Sequence, residues 1–514
     1  MTIDELLKLP FASVADAITC HAEARPQATA LVLKDQRMSM AELNQRMDRV
    51  AASLQRDGIG AGSTIAICAQ SSLDYVVVFL GAIRAGVAVA PLVASAAPET
   101  LAAMVADANA KLLFQDEGIA ERLASVAGSI SARRLTLGQE FEQWLVPQGT
   151  RPQAVDVQPE WPFNIIYSSG TTGSPKGIVQ PHSFRWNAVQ NAVTRGFGPD
   201  TVMLATTPLY SNLTLSSFFP TLALGGKIVL LEKFEAGSFL EVASRERASY
   251  AIMVPVQYQR ILAHPAFGSY DLTSFNKKYC AGAPCPQELK REILERWPGP
   301  FFDVYGMTEG GGACLLAAHN RPDKLHTVGQ PMLGSEILIV GEDGQPVPQG
   351  QSGEVVGRSD NMMLGYHGQP EKTREAEWFS PDGKRYLRTG DVGYFDADGF
   401  LVLIDRKKDM IISGGFNVYP SDLESVLRTH PDISEAAVVG VPSSQWGETP
   451  VGFVVPRPGC SMEAAQLREW ANSKLGKTQR LADLRIVDEL PRSAVGKILK
   501  RELRDQYQAL PPSA

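Results

Sequence analysis

Apolar positions in the first 115 residues alternate between the spacing of a helix face and the continuous runs of buried strands. Leu43, Met47, Val50 and Leu54 recur at the three- and four-residue spacing that places them on one helix face. The predicted elements are helices at 41–58, 73–85 and 100–109 and strands at 64–68, 87–92 and 111–114. This strand–helix–strand order predicts a parallel sheet with right-handed crossovers.

The pattern changes twice further along the chain. Between 342 and 400, short strands separated by Gly, Asp and Pro turns predict a small β subdomain. After Asp409 the α/β pattern returns, with a helix at 420–429, a strand at 436–441 and a helix near 462–475. The predicted fold class is α/β: a large N-terminal domain of parallel-sheet α/β subdomains plus a small β subdomain, followed by a small α+β C-terminal domain.

Length and charge narrow the class of protein. A chain of 514 residues exceeds the ~250–300 residues at which a single core stops growing, so more than one domain is expected. The chain carries 49 basic and 56 acidic residues, for a net charge of −7, without long Lys/Arg runs. This balance predicts no nucleic-acid partner.

The cysteines and the apolar segments predict a cytoplasmic protein. Six cysteines are scattered at 20, 68, 280, 285, 314 and 460 without a C-x-x-C pair, which argues against a zinc site and a disulfide framework. The acidic N-terminus is unlike a signal peptide. The most apolar stretch begins at Tyr75 and meets Arg84 after nine residues, too short for a membrane span.

The segment 167–177 is the strongest chemical signal in the chain. Three glycines, five Ser/Thr hydroxyls and Lys176 fall within eleven positions, after an apolar run at 163–167 that predicts a strand entering a loop. Glycines admit backbone N–H groups close to an anion, hydroxyls donate to phosphate oxygens, and lysine adds charge. The spacing does not fit a Walker A loop. The ordered pattern favours a polyphosphate loop over a flexible polar linker.

Four further segments follow in order. They are Tyr305-Gly306-Met307-Thr308-Glu309, Tyr386-Leu387-Arg388-Thr389-Gly390-Asp391, the run from Asp405 to Pro420, and Pro491-Arg492-Ser493-Ala494-Val495-Gly496-Lys497. Together with the loop they resemble the motifs of the adenylate-forming superfamily, which includes acyl- and aryl-CoA synthetases, peptide-synthetase adenylation domains and luciferases. The resemblance covers almost the whole chain and favours the acyl-/aryl-CoA synthetase branch.

The resemblance implies a site for ATP. The matching family aspartate, here Asp391, accepts hydrogen bonds from both ribose hydroxyls, and Arg406 matches an arginine near ribose and phosphate. Taken alone, Asp391 would be a turn residue and Arg406 a surface ion-pair partner. The residues that the resemblance assigns to ATP or AMP are Ser168, Ser169, Gly170, Thr171, Thr172, Gly173, Lys176, Gly282, Ala283, Pro284, Tyr305, Gly306, Met307, Asp391 and Arg406.

The same resemblance assigns the catalytic residues. Lys497 matches a lysine that bridges the carboxylate and α-phosphate oxygens, where charge is greatest in the transition state. Thr308 matches a threonine that hydrogen-bonds phosphate. Glu309 matches the glutamate associated with Mg²⁺, which commonly uses one or two carboxylates plus phosphate oxygens. Without the other motifs, Thr308 and Glu309 would be interpreted as a polar turn and Lys497 as an exposed lysine.

The acyl pocket is expected to be framed by 210–214, 254–256, 280–282 and 306–312. Its assigned residues are Tyr210, Ser211, Asn212, Val256, Gly310 and Gly311. Many relatives carry Pro-Leu-Phe-His where this chain has Pro208-Leu209-Tyr210-Ser211, so a gating histidine is absent. The mostly apolar lining, with glycines that remove bulk, predicts an apolar monocarboxylate, aromatic or medium-chain.

The family rotates its C-terminal domain between two half-reactions. Lys408, two residues after the motif arginine, matches the hinge, so the predicted domains are 1–407 and a mobile 408–514. Gly414 and Gly415 match glycines that line the pantetheine tunnel. Trp446 is a candidate contact for the CoA nucleotide, and a packing role for it is equally consistent with the sequence.

The predicted activity is an acid–CoA ligase that uses ATP, CoA and Mg²⁺ to make acyl-AMP and then acyl-CoA. One alternative is an adenylating enzyme that loads a carrier-protein pantetheine, and another is a non-catalytic nucleotide-binding homologue. A luciferase-like oxygenase is more remote. Some relatives are acylated at the lysine matched by Lys497, so we hypothesise that a protein acetyltransferase is also a partner and blocks adenylation by removing this charge.

Overall fold

The computed structural model describes residues 1–168, 176–297, 299–413, 416–443, 445–460, 462–476, 479–493 and 496–509. The predicted site residues Ser169, Gly170, Thr171, Thr172, Gly173, Gly414 and Gly415 lie outside the described residues. The described part divides into two compact units, Met1–Glu336 with Gly357–Leu387, and Ile337–Val356 with the chain from Arg388 onward. The division at Lys408 inferred from the sequence stays a prediction.

The elements follow one another in α/β alternation. The strands are β1 (Thr29–Leu33), β2 (Gln36–Ser39), β3 (Thr64–Cys68), β4 (Ala88–Pro91), β5 (Ala110–Gln115), β6 (Arg133–Thr136), β7 (Pro162–Ser168), β8 (Lys176–Pro181), β9 (Val202–Ala205), β10 (Lys227–Leu230), β11 (Tyr250–Met253), β12 (Lys277–Ala281), β13 (Phe301–Gly306), β14 (Ala313–Ala317), β15 (Gln330–Pro331), β16 (Ser335–Val340), β17 (Gly353–Ser359), β18 (Gly365–Tyr366), β19 (Glu377–Phe379), β20 (Arg385–Phe395), β21 (Leu401–Arg406), β22 (Ile411–Ser413), β23 (Phe416–Val418), β24 (Ile433–Ser443), β25 (Gly447–Pro456) and β26 (Asp483–Ile486). The α-helices are α1 (Ile3–Leu6), α2 (Val14–Ala24), α3 (Met40–Arg56), α4 (Leu73–Arg84), α5 (Pro98–Asp107), α6 (Glu117–Arg122), α7 (Gln139–Trp144), α8 (His182–Thr194), α9 (Asn212–Ala223), α10 (Ala236–Glu246), α11 (Pro255–Leu262), α12 (Gln287–Arg296), α13 (Pro370–Glu375), α14 (Pro420–Arg428), α15 (Ala464–Lys474) and α16 (Lys500–Ala509).

Local sequence explains where helices begin and how they pack, and α3 is an example. The Ser39 hydroxyl accepts from the Glu42 N–H at 3.2 Å, and the Glu42 carboxylate accepts from the Ser39 N–H at 2.7 Å. This reciprocal cap satisfies two of the free N–H groups at the helix start. A Cβ on Gly81 would lie 2.5 Å from Val50 Cβ, so glycine allows α4 to pack closely against α3.

The first unit is built on two sheets. A nine-stranded sheet has the order β15-β14-β13-β12-β11-β9-β10-β1-β2, and a seven-stranded sheet has the order β18-β8-β7-β4-β3-β5-β6. Strands β3, β4, β5, β6 and β7 pair in parallel, which confirms the parallel sheet predicted from the first 115 residues. Strands β8 and β18 add antiparallel pairs at one edge.

Four strands of the nine-stranded sheet place their carboxyl ends together. Strand β9 is parallel to β11, β11 to β12, and β12 to β13. Ligands of open α/β sheets bind at the edge formed by the carboxyl ends of parallel strands. The segments 206–212, 254–256, 282–284 and 307–312 follow these four strands directly, so they lie at one edge of the sheet.

The second unit contains a β subdomain and an α/β part. Strand β20 pairs antiparallel with β21, with Asp391 opposite Arg406. The later sheet has the order β23-β22-β25-β24, and β26 joins β25 in parallel. Helices α14 and α15 pack on it through a core that includes Leu423, Leu427 and Leu467. Among the helices within the described residues, none is both long enough and apolar enough to cross a membrane.

Candidate active site

Lys176 and Glu309 are joined through one tyrosine in the first unit. Lys176 begins β8 opposite Ser168 at the end of β7. Its Nζ lies 5.2 Å from the centroid of the Tyr366 ring, within cation–π range. The Tyr366 hydroxyl donates to Glu309 Oε1 at 3.0 Å. The predicted phosphate lysine and the predicted Mg²⁺ glutamate therefore lie on either side of Tyr366.

Tyr366 belongs to none of the sequence motifs. Its position depends on the pairing of the two-residue strand β18 with β8, in which Tyr366 lies opposite Ile178. Burial and the neighbouring Glu309 carboxylate raise the pKa of the Tyr366 phenol well above its usual range, so the phenol stays protonated and neutral and donates a hydrogen bond to Glu309. No short-range sequence signal links position 366 to position 309, because a two-residue strand is too short to show an alternation of apolar and polar residues.

Three of the predicted acyl-pocket segments meet at Gly282. This glycine has φ of +86°, a left-handed conformation that side chains other than glycine rarely adopt. A Cβ at this position would lie 3.5 Å from Val254 Cγ1 and 3.6 Å from Leu213 Cδ2. The turn Gly282-Ala283-Pro284 after β12 is thus next to the segments that follow β9 and β11. This proximity is what the predicted pocket requires.

Other predicted pocket residues have clear local roles. Tyr210 is buried and belongs to the core cluster that also includes Ala66 and Tyr167 of the seven-stranded sheet. Burial raises the pKa of the Tyr210 phenol, and a hydrogen bond with Ser95 opposes that rise. Ser211 precedes α9 and is buried, and Val256 lies partly exposed in the first turn of α11. Their contact with an acyl group stays a prediction.

The glycines after Glu309 are required by the backbone. Gly310 and Gly311 have φ of +82° and +81°. A Cβ on Gly310 would overlap the carbonyl group of Asn361, and one on Gly311 would lie 2.9 Å from the Gly357 carbonyl oxygen. The Gly311 N–H also donates to the Asn361 carbonyl at 3.2 Å. The local reason for these glycines is therefore backbone packing, while their place in the acyl pocket stays a prediction.

Asp391 and Arg406 form a pair in the second unit. Arg406 Nε lies 3.0 Å from Asp391 Oδ1, and the Asp391 N–H donates to the Thr389 hydroxyl at 3.0 Å. The Asp391 side chain is largely buried, whereas Arg406 is about half exposed. A cavity of about 360 Å³ is lined by Thr389, Gly390, Arg406, Lys407 and Lys408. Of the two residues predicted to lie at the ribose, Arg406 thus lines this cavity and Asp391 pairs with Arg406.

Lys497 lies on a short turn of the second unit. An isolated bridge pairs Arg492 with Ile498, and Gly496 has φ of +77°. The Ser493 N–H donates to the Lys497 carbonyl at 2.8 Å, and the Lys497 N–H donates to the Ser493 hydroxyl at 3.2 Å. Arg492 also pairs with Glu435 on β24. The turn is therefore anchored to the C-terminal sheet, and the Lys497 side chain is exposed.

The predicted hinge and CoA residues are also in the second unit. Lys408 is exposed, and the residue after it, Asp409, pairs with Arg504 of α16 at 2.9 Å. Trp446 is 51% exposed in the turn before β25, where its backbone N–H donates to the Ser443 hydroxyl. This exposure makes a packing role for Trp446 the weaker of its two interpretations.

The site residues fall into the two units as follows. The first unit holds Ser168, Lys176, Tyr210, Ser211, Asn212, Val256, Gly282, Ala283, Pro284, Tyr305, Gly306, Met307, Thr308, Glu309, Gly310 and Gly311, and the second holds Asp391, Arg406, Lys408, Trp446 and Lys497. Within the first unit, the sheet topology brings residues from 176 to 366 together. Their roles in binding and catalysis stay predictions.

Comparison with known proteins agrees with this arrangement. The model of the AMP-binding enzyme family matches residues 18–367, and that of the AMP-binding enzyme C-terminal domain matches residues 422–497. A feruloyl-CoA synthase from an Amycolatopsis species is 33% identical over 496 residues, 95% of this chain and 97% of the relative. An indoleacetate–CoA ligase from Aromatoleum aromaticum is 30% identical, covering 96% of this chain and 97% of the relative.

Two further proteins resemble the chain over its length. A fatty acid–[acyl-carrier-protein] ligase from Streptomyces coeruleorubidus is 28% identical over 516 residues, 98% of each protein. The crystal structure of ATP-bound MatB from Rhodopseudomonas palustris superposes with a TM-score of 0.87 at 27% identity, covering 96% of this chain and 99% of that one. The chain therefore belongs to the AMP-binding enzyme family and is an AMP-forming acyl-CoA synthetase of the adenylate-forming superfamily.

Proposed function

We propose that this acid–CoA ligase acts on an apolar monocarboxylate, aromatic or medium-chain, which it converts to acyl-AMP and pyrophosphate and then to acyl-CoA and AMP. The observation that carries the proposal is the meeting of Leu213, Val254 and Gly282 at the sheet edge that also holds Thr308 and Glu309. An apolar wall beside the adenylating residues suits an acid whose carboxylate reaches ATP while its acyl part is desolvated.

Adenylation needs positioning and charge stabilisation more than covalent chemistry from the protein. A carboxylate oxygen attacks the α-phosphorus of ATP, and the bond to the β-phosphate oxygen breaks as pyrophosphate leaves. Lys176, at the end of the predicted phosphate loop, would bind the departing phosphates. Lys497 would bridge the carboxylate and the α-phosphate, where negative charge accumulates. Asp391 would accept from the ribose hydroxyls, with Arg406 holding its carboxylate in place.

The residues around Glu309 fit a Mg²⁺ ion. Oxygen is the ligand atom that Mg²⁺ prefers, and Tyr366 uses only one of the two Glu309 carboxylate oxygens. Among the described residues, no group of three His, Cys, Asp or Glu side chains is placed to hold a metal by itself. Glu309 would therefore supply one ligand, with phosphate oxygens and water completing the shell. The ion would neutralise charge on the phosphates.

The second half-reaction needs a thiol at the acyl carbon. The thiol loses its proton to solvent, its sulfur attacks the acyl-AMP carbonyl, and AMP leaves with the electron pair of the broken C–O bond. We assign Lys408 as the hinge that exchanges the Lys497 turn for a thiol-binding face, with Gly414 and Gly415 admitting the pantetheine arm. The exposed indole of Trp446 offers a stacking surface for the CoA nucleotide.

Two of the relatives support an aromatic acid as substrate and free CoA as acceptor, and a third supports a carrier protein as acceptor. Their names specify feruloyl and indoleacetate substrates, which are aromatic, with CoA as the acceptor. The carrier-protein ligase, at 28% identity, supports the alternative that a protein-bound pantetheine accepts the acyl group. Both acceptors present the same thiol, so the difference lies in what binds around the pantetheine.

Acid-dependent AMP release tests the proposal. The purified enzyme is assayed with ATP, Mg²⁺ and a panel of benzoates, cinnamates, indole acids and straight-chain acids, with and without CoA. We expect CoA-stimulated turnover on one class of apolar acid. ATP–pyrophosphate exchange without CoA stimulation, together with transfer to a phosphopantetheinylated carrier protein, would favour the carrier alternative. Turnover on polar dicarboxylates alone would refute the proposed substrate class.

A further inference from the structure

Arg185 is a buried cation without an acidic partner in the first unit. Its side chain on α8 is 1% exposed, and no carboxylate is among its hydrogen-bond or ion-pair partners in the described part of the chain. Three aromatic rings surround it, with the guanidinium carbon 5.7 Å from the Phe163 centroid, 5.3 Å from Phe184 and 5.5 Å from Phe219. A buried charge is costly unless polar atoms compensate it, so its hydrogen-bond partners matter.

Those partners are three side-chain amides. Arg185 Nε and Nη2 donate to Asn164 Oδ1 at 3.1 and 2.8 Å, and Nη2 donates to Asn212 Oδ1 at 2.9 Å. Nη2 also donates to Gln180 Oε1. The amides continue the network, because Gln180 Nε2 donates to the Thr308 carbonyl at 2.7 Å and to Asn212 Oδ1 at 3.2 Å. The network thus connects Asn212 with the predicted adenylation motif.

The guanidinium determines how all three amides are oriented. Arginine donates hydrogen bonds and cannot accept them, so each amide must turn its oxygen toward Arg185. Gln180 then has only its nitrogen left for the Thr308 carbonyl, which requires a donor. Asn212 Oδ1 is occupied by two donors. Its Nδ2, at the other end of the planar amide, consequently lies on the side away from Arg185.

Asn212 Nδ2 is the donor that this network leaves unused. No hydrogen bond from it is present among the described residues, and Asn212 is partly exposed as the first residue of α9. The next residue, Leu213, lies beside Gly282 at the proposed acyl pocket. A polar donor at the edge of an apolar pocket recognises a specific acceptor on a ligand.

We propose that Arg185 is a positioning residue that turns the Asn212 amide so that its N–H donor meets a hydrogen-bond-acceptor oxygen on the acyl part of the acid. The inference rests on the proposed function and narrows its substrate class, from apolar monocarboxylates in general to those that carry an ether, hydroxyl or carbonyl oxygen. One neutral hydrogen bond is expected to favour such an acid by about 3- to 10-fold in kcat/KM.

The test compares acids that differ only in this oxygen. Acid-dependent ATP–pyrophosphate exchange is measured for methoxy and ethyl derivatives at each ring position of benzoate and cinnamate, and for ether-for-methylene pairs of straight-chain acids. We expect the wild-type enzyme to prefer the oxygen-bearing member at one position. Asn212→Asp keeps an oxygen for Arg185 and removes the donor, so the kcat/KM ratio of the pair should fall to about one.

Two further variants separate positioning from general damage. Arg185→Lys keeps a positive charge but lacks the planar guanidinium that orients the three amides. The kcat/KM ratio of the acid pair should therefore fall, mainly through a higher KM for the oxygen-bearing acid. Asn187→Asp, on the same helix, is the matched control, because Asn187 donates to the Asp360 carbonyl outside the network. Its ratio should equal that of the wild type. Circular dichroism and thermal melting check that each variant is folded.

Two outcomes would overturn the inference. A wild-type ratio within about twofold of one at every position would show that no acceptor is recognised, and an unchanged ratio in Asn212→Asp would show that another group provides the preference. The absence of exchange with every acid in the panel is a separate result, which would refute the proposed function itself. If Arg185→Lys does not fold, the Asn212→Asp ratio alone decides.

Discussion

At the scale of individual side chains, Lys497 is the residue whose charge we propose matters most at a single step. The turn that carries it is anchored by the ion pair between Arg492 and Glu435 and by the hydrogen bond that Arg492 donates to the Gly496 carbonyl. A substitution at Lys497 should therefore change the reaction without unfolding the turn. This makes the residue suitable for separating the two half-reactions.

Lys497→Ala should lower acyl-AMP formation by about 100- to 1,000-fold, because one preorganised charge is lost where the transition state needs it. Thioester formation from preformed acyl-AMP should change less than about tenfold. The two rates are measured by single-turnover kinetics, with Lys233→Ala, an exposed lysine, as control. Acetylation at Lys497 should have the same selectivity. Equal loss of both half-reactions would contradict the assigned role.

Tyr366→Phe should lower adenylation by about 3- to 10-fold and raise the Mg²⁺ concentration needed for half-maximal rate. The substitution keeps the ring under Lys176 but removes the hydrogen bond to Glu309 Oε1, so the carboxylate loses its fixed orientation. The measurement is pyrophosphate exchange against Mg²⁺ concentration. Tyr270→Phe is the control, and an unaltered Mg²⁺ dependence in Tyr366→Phe would argue against Glu309 as the ligand.

His182 links stability to pH. Burial lowers its pKa to about 4, below the value of 6.5 that it has in the unfolded chain. The unfolded state therefore binds a proton first as pH falls, so stability is complete above about pH 6.5 and decreases toward pH 4, by up to about 3 kcal/mol. Urea unfolding of His182→Gln should show a shallower pH dependence than the wild type. The exposed His326→Gln should match the wild type, and identical slopes for all three would refute the linkage.

Elements place these residues through strand ends and tight turns. The carboxyl ends of β9, β11, β12 and β13 bring together segments that are up to about 100 residues apart in the chain. Left-handed glycines then allow the segments after β12 and β13 to turn sharply at the sheet edge, at Gly282 and at Gly310 to Gly312. The turn at Gly310 is the most demanding, since a side chain there would overlap the backbone of Asn361.

Gly310→Ala should destabilise the first unit and abolish adenylation together. Gly334→Ala is the matched control, because Gly334 has a similar φ of +78° but nothing within 4 Å of its added Cβ. The control should cost about 1–2 kcal/mol from the left-handed backbone alone, and Gly310→Ala clearly more. Urea unfolding midpoints measure the difference. Equal midpoints for the two variants would show that the Asn361 backbone moves away without cost.

At the scale of the whole molecule we propose that two half-reactions alternate, and the predicted hinge at Lys408 is where this can be tested. The neighbours of Lys408 make backbone hydrogen bonds, from Lys407 N–H to the Gly390 carbonyl and from Asp409 N–H to the Arg406 carbonyl. No such bond from the Lys408 N–H occurs among the described residues, so a proline there removes none of these contacts. It does restrict φ, which a hinge must change.

Lys408→Pro should keep pyrophosphate exchange within about tenfold of the wild type and lower CoA-dependent AMP release by more than about 100-fold. The physical reason is that a fixed φ prevents exchange between the two arrangements. Lys408→Ala, which leaves φ free, should affect neither rate by more than a few-fold. If exchange and AMP release fall by the same factor in Lys408→Pro, position 408 is not the hinge.

Local patterns in the sequence were enough for the elements and for the family. The strand predicted at 64–68 is observed at those residues, and the helix predicted at 41–58 is observed at Met40–Arg56, because burial of one face imposes a period on the sequence. The motif order alone predicted an adenylate-forming enzyme, which the family models confirm. Chemistry that depends on a contiguous motif can be predicted from the sequence without knowledge of the fold.

Tertiary structure alone decided which distant residues meet. Tyr366 joins Lys176 to Glu309 through a two-residue strand too short to have a period, and Arg185 orients amides that are up to 48 residues apart in the chain, at 164 and 212. The sequence predicts that Gly310 and Gly311 leave space for a substrate, and the fold shows that the backbone itself requires both glycines. The sequence by itself determines the spacing of apolar positions along each element and the chemistry of each residue. Contacts between distant residues arise only when the sheets bring strand ends together.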